Sequence, residues 1–67
     1  MSVAKVTEIS VSSSESFDDA VQQGISRAAK TLKNIQGAWI DEQKVVVLHN
    51  KITEWRVVMK ISFVLDD

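Results

Sequence analysis

Residues 53–65, TEWRVVMKISFVL, alternate without a break. Thr53, Trp55, Val57, Met59, Ile61, Phe63 and Leu65 fall on one side; Glu54, Arg56, Val58, Lys60, Ser62 and Val64 fall on the other. A period of two predicts a strand with one buried and one largely polar face. Strands typically run about 5–6 residues, so one this long implies a sheet built around it. Upstream, residues 3–11 (VAKVTEISV) read as a first strand. Lys5, Thr7 and Glu8 leave both of its faces mixed, as at an edge or an interface. Phe17, Ala20, Val21, Gly24, Ile25, Ala28 and Leu32 then recur at spacings of three and four. That spacing predicts an amphipathic helix over about 14–32.

The serine-rich stretch 10–16 ends the first strand and offers hydroxyls to free backbone N–H groups. Ser13 is the expected N-cap, with Ser16 next because Ser16 and Asp19 have capping-box spacing. Glu15, Asp18 and Asp19 favour the positive end of the helix dipole, and Arg27, Lys30 and Lys33 the negative end. Gly24 on the apolar stripe costs about 1 kcal/mol of helix propensity, which points to close packing against a sheet. Asn34 ends the helix, and residues 35–43 resume extended structure. Ala38 and Ile40 share one face there, and Gly37, Trp39 and Asp41 the other. Residues 45–48 (VVVL) continue or restart a strand, and His49-Asn50-Lys51 form the turn into the last one. A bulge near Gln43 and Lys44 would change which face the later residues occupy. The expected fold is α+β, in the order β-α-β-β. Its last two strands form an antiparallel hairpin, the first strand pairs beside them, and the helix lies across one face. Trp55, Val57, Met59, Ile61, Phe63 and Leu65 are expected to pack on Phe17, Val21, Ile25, Ala28 and Leu32.

Sixty-seven residues make one domain. A chain of that size buries only about 60% of the surface its unfolded form exposes. Small folds usually add disulfides, a structural metal or oligomerisation. There are no cysteines and one histidine, which excludes disulfides, thiolate metal sites and a multi-histidine site within one chain. Oligomerisation remains, in keeping with a hydrophobic fraction of 45%. The net charge of −1 provides no basic field for nucleic acid and no cationic amphipathic helix for a membrane. No apolar run approaches the roughly 18 residues of a membrane span. The stretch MSVAKVTEIS has no signal-peptide core, so the expected compartment is the cytoplasm.

Little in the chain points to catalysis. The serines and His49 form no recognisable triad, and two isolated glycines make no phosphate-cradling loop. Asp41 and Glu42 point to opposite faces of a regular strand, and Asp66-Asp67 read as a solvated tail. In a symmetric oligomer, copies of one carboxylate could converge on a cation. Trp39 stands out as a large aromatic on the non-core face next to a glycine, which suits an interface anchor or a stacking platform. Arg56 shares the face of Lys60 and, across the hairpin, that of Trp39, where a guanidinium can pair with a carboxylate or contact an anion.

The opening VAKVTEISVSSSESFDDAV, the helix ISRAAKTLKNI and the close KITEWRVVMKISFVLDD together resemble the dodecin family over nearly the whole chain. That resemblance implies a three-stranded antiparallel sheet wrapped around one amphipathic helix, with twelve copies closing into a hollow dodecamer. It also implies a non-enzymatic flavin storage protein that holds stacked flavins between tryptophans near the symmetry axes. The ligand would be FMN, riboflavin, FAD or a similar planar aromatic, and the protein partner another copy of itself. The family's stacking tryptophan usually follows the helix in a pattern like N-L-R-W-F-E-V. Here the segment is Asn34-Ile35-Gln36-Gly37-Ala38-Trp39-Ile40, so the stacking position is Gly37. The family's flavin-contacting glutamine falls on Arg56. Trp39, two residues on and on the same face, can supply the ring from a shifted position. The flavin-binding residues implied are therefore Gly37, Trp39 and Arg56. The alternative is a dodecin-like shell that has lost flavin and serves a structural role or binds another ligand, such as a metal ion.

Overall fold

The computed structural model describes residues 2–65. Met1 and the pair Asp66-Asp67, read above as a solvated tail, lie outside the described residues. The elements are β1 (Ala4–Ser13), α1 (Phe17–Ala28), β2 (Ile35–Leu48) and β3 (Lys51–Val64). The sheet order is β1-β3-β2, and both pairings are antiparallel. The alternating strand is thus the central one, as its pattern requires. Val57, Met59 and Ile61 are fully buried. Each lies between cross-strand neighbours: Val11 and Gln43, Ile9 and Ile40, Thr7 and Ala38. Together with Ala20 and Ala28 of the helix they form the core, and Ile9, Val11, Phe17, Val21, Ile25, Leu32 and Ile35 pack around it. No described helix is long and apolar enough to cross a membrane.

Gly24 is what lets the helix come this close. A Cβ there would lie 2.9 Å from Val11 Cγ2, 3.1 Å from Met59 Sδ and 3.3 Å from Ile9 Cδ1. The methyl of a β-branched valine has little freedom to move away.

Three expectations need correcting. The N-cap is Ser16, not Ser13: Ser16 has extended backbone angles and its hydroxyl accepts from the Asp19 N–H at 3.0 Å. Ser13 is instead the buried knot one turn earlier. Its hydroxyl accepts from the Glu15 N–H at 2.9 Å and donates to Asp19 Oδ2 at 2.6 Å. The helix is also shorter than its apolar spacing suggests. After Ala28 the chain tightens through Lys30 N–H to Arg27 O and Thr31 N–H to Ala28 O, then turns at Asn34 with a φ of 62°. Leu32 still donates to Ala28 O at 2.9 Å, so it keeps the helical spacing that the pattern detects.

The third correction concerns β2, which runs unbroken to Leu48. Its register shifts at three places, between Ile35 and Gly37, Ile40 and Glu42, and Val46 and Val47. The middle one, just before the Gln43-Lys44 position considered above, leaves Asp41 without a cross-strand partner. From Glu42 onward the faces are re-phased. Glu42, Lys44 and Val46 continue the side of Trp39, and Gln43 and Val45 the helix side. At the far end His49 and Asn50 both have positive φ, 52° and 63°, and Leu48 pairs with Lys51. This is a two-residue hairpin loop of the mirror-image type, which follows the twist of the strands.

The helix covers little of this sheet. Twelve helical residues span roughly 18 Å, whereas fourteen strand residues span roughly 45 Å. The chain accordingly measures 52 × 19 × 13 Å. Its radius of gyration is 13.9 Å, against about 11 Å for a compact domain of this length. It exposes 4971 Å², against roughly 4,200 Å² from the scaling of folded monomers. Ile40, Val45, Val47, Leu48 and Ile52 are exposed, all on the β2–β3 hairpin.

Two substitutions test this packing. Gly24→Val should lower stability by about 1–3 kcal/mol, despite its better helix propensity, as a drop in the denaturant midpoint. Ser13→Ala should cost about 1–2 kcal/mol, because it leaves the Glu15 N–H without its acceptor and takes one of two donors from the Asp19 carboxylate. A midpoint within error of the parent in either variant would contradict the packing described.

Candidate functional site

The face of the sheet turned away from α1 has no cover within the chain. Register builds it in rows, each read from β1 across β3 to β2. Val6, Ser62 and Gly37 form one row; Glu8, Lys60 and Trp39 the next. Ser10, Val58 and Glu42 follow, then Ser12, Arg56 and Lys44. Opposed residues in an antiparallel pair bring their Cβ atoms to about 4.5–5.5 Å, so each row is a set of direct neighbours. The Asp41 bulge makes this continuous, because it keeps Glu42 and Lys44 on the face that Trp39 began.

Trp39 is 49% exposed, a large aromatic surface that its own chain leaves open. Beside it Gly37 has free space. A Cβ built there would meet only Ser62 Oγ, at 3.9 Å, and the backbone φ is not positive. Neither packing nor dihedral angle requires glycine at this position, so the missing side chain leaves a gap beside the indole. Ser62 Oγ donates to the Gly37 carbonyl at 3.3 Å. Trp55 differs in just the way the alternation predicts. It lies on the helix side, partly buried, between Ser13 and Val45.

Arg56 is on the Trp39 face but not beside Trp39. Four residues of β3 separate it from Lys60, roughly 13 Å along the strand. Its Nη2 contacts Glu54 Oε2 at 3.2 Å, and its buried Nε has no acceptor among the described residues. Both side chains of that ion pair are more than a third exposed, so it adds at most about 1 kcal/mol. The charged group adjacent to the indole is Lys60 instead. Among the described residues Arg56–Glu54 is the only salt bridge, so Lys60 and its other neighbour, Glu8, make none. The alternation had already put Lys60 on this face; its pairing with Trp39 depends on where β2 bulges, which the pattern leaves open.

The face thus offers a half-open indole, a gap and an unpaired ammonium, an arrangement able to hold a flat ring by stacking. No three His, Asp or Glu side chains among the described residues gather at a cation-sized site within one chain, and His49 is exposed at the hairpin tip. A concavity of about 490 Å³ is elsewhere. It lies between α1 and the free edge of β1, lined by Ile9, Val11, Gln23, Gly24, Arg27 and Ala28 among others. Its walls are mostly aliphatic, which suits packing more than chemistry.

Comparison with known proteins follows this geometry closely. The family model described as Dodecin matches residues 3–66. Among solved structures, the dodecin from Streptomyces davaonensis is 35% identical with a TM-score of 0.92, over 98% of this chain and 97% of that one. A variant of the Thermus thermophilus dodecin is 27% identical with a TM-score of 0.94, over 100% of this chain and 98% of that one. The calcium dodecin of Mycobacterium tuberculosis, described as a calcium-chelating immunodominant antigen with a novel calcium-binding site, is 29% identical. Its TM-score is 0.82, over 96% of this chain and 91% of that one. A search of curated proteins finds no match. Matched almost end to end in sequence and in fold, the chain belongs to the dodecin family.

Proposed function

We propose that this protein is a non-enzymatic binding and storage protein that sequesters a flavin, of the riboflavin or FMN type, or a similar planar ring between subunits of a homododecamer in the cytoplasm. The observation that carries the reading is the half-exposed Trp39 on an uncovered sheet face, next to the open space at Gly37. An indole stacks well on a flat heteroaromatic ring. In an assembly, the Gly37 gap admits the edge of that ring or an indole from a second copy. Arg56 has its place at the far end of the same face. A ligand reaches it only by extending roughly 13 Å along the sheet or by lying across two copies. No bond is made or broken, and the protein's work is to stack, enclose and shield. A flavin held there brings a light-excitable ring, and the adjacent indole quenches it.

Assembly is supported independently by the extended shape of the single chain and by its exposed hairpin side chains. The lone subunit leaves apolar surface open on both faces of the hairpin, and another copy is the partner that the family resemblance supplies.

The second reading, a dodecin-like shell without flavin, is favoured by Gly37 standing where the family has its stacking tryptophan. There Trp39 fills the site itself, and the shell is structural or takes another ligand such as a metal ion; the calcium dodecin at 29% identity is a precedent in the family for a metal ligand.

Riboflavin titration separates the two. The first reading expects quenching of riboflavin fluorescence by the assembled protein, and at least a tenfold loss of affinity in Trp39→Ala with the particle mass unchanged. Unquenched riboflavin, together with a Trp39→Ala variant that falls apart, supports the second reading and removes the first.

A further inference from the structure

We infer that Lys60 is the specificity-determining contact of the Trp39 platform. Its ammonium holds the carbonyl-bearing edge of a planar ring stacked on the indole, and Glu8 positions that ammonium. The inference rests on the stacking reading above and names what kind of ring the site accepts.

Three observations meet at this residue. Register places Lys60 directly between Trp39 and Glu8, on the central strand and on the uncovered face. Lys60 is partly buried, yet it makes no salt bridge with any described residue. Arg56, the cation that the family pattern points to, is already in contact with Glu54 and stands four residues away.

The chemistry follows from that placement. A ring lying on Trp39 covers the neighbouring residue of its row and displaces water from Lys60. A cation losing water needs an acceptor in its place, and a charge-assisted hydrogen bond to a ring carbonyl provides one. A ring with two carbonyl oxygens on one edge, such as the pyrimidine part of a flavin, meets this need. A cationic planar dye does not, because like charges then face each other across a desolvated contact. Glu8, the cross-strand neighbour of Lys60 on the side opposite Trp39, attracts the ammonium and restrains it within the row. The site therefore discriminates by electrostatics on top of the sequence-tolerant attraction of stacking.

The bland alternative is that Lys60 and Glu8 are merely a surface charge pair. Fluorescence titration with riboflavin and with proflavine, a cationic planar dye, distinguishes the two, with particle mass checked by sedimentation. The parent protein should bind riboflavin at least tenfold more tightly than proflavine. Lys60→Met should lose at least tenfold for riboflavin while gaining for proflavine, and Lys60→Arg should stay within about threefold of the parent. Glu8→Gln should weaken riboflavin a few-fold, an effect that disappears in the Lys60→Met background. Equal riboflavin affinity in the parent and Lys60→Met overturns the assignment and leaves the stacking reading intact. So does a parent that takes proflavine as readily as riboflavin, a result that needs no variant to fold. A parent that binds neither dye overturns this assignment and the stacking reading together.

Discussion

The mismatch in length between a helix of twelve residues and strands of fourteen governs this molecule. Helical residues advance about 1.5 Å each and strand residues about 3.3 Å, so the helix covers less than half of the sheet it rests on. Where it does rest, the fit is close: Gly24 brings the helix backbone against Ile9, Val11 and Met59, and Val57, Met59 and Ile61 are sealed completely. Beyond it, a two-stranded ribbon bearing Val45, Val47, Leu48 and Ile52 stands in water. An isolated two-stranded ribbon is marginal at best. The fold is well made at one end and incomplete at the other, and completion has to come from outside the chain.

The same mismatch leaves the outer face of the sheet bare. On that face the important device is small. One unpaired residue, Asp41, keeps the side chains after it in phase with Trp39, so that indole, lysine, glutamate and arginine share a surface. Gly37 then acts by what it lacks, since its backbone makes no demand for glycine and its side-chain position is open. In the proposed stacking reading, the indole of Trp39 stands two residues beyond Gly37, and its nearest cation is Lys60 rather than Arg56.

Much of this was legible in the residues. Alternation over 53–65 identified the central strand and the middle of its buried row, Val57, Met59 and Ile61, whereas Leu65, expected in that row, lies past the strand end and is exposed. The helix stripe was legible too, and Gly24 on that stripe signalled close packing. The helix ends were less so: Leu32 keeps the apolar spacing after the helix has closed, and Ser13 and Ser16 compete for the same role. Which serine caps depends on Asp19, whose carboxylate is taken by Ser13 and Gln23, a tertiary arrangement with no local signature. A bulge near Gln43 and Lys44 was considered but not fixed by the sequence, because a change of phase among exposed, mixed residues leaves no mark on the pattern. The row Glu8, Lys60 and Trp39 was therefore only partly visible. Side chains from three strands meet there, and their pairing is a property of register. The family resemblance supplied the assembly and the ligand class, which neither alternation nor composition contains.

Sedimentation equilibrium on dilute protein tests the central claim most directly, since everything proposed for Trp39 needs neighbouring copies. The account predicts a single folded species near 90 kDa, twelve times the 7.5 kDa of one chain, persisting on dilution. A cooperatively folded particle of 7.5 kDa would contradict it.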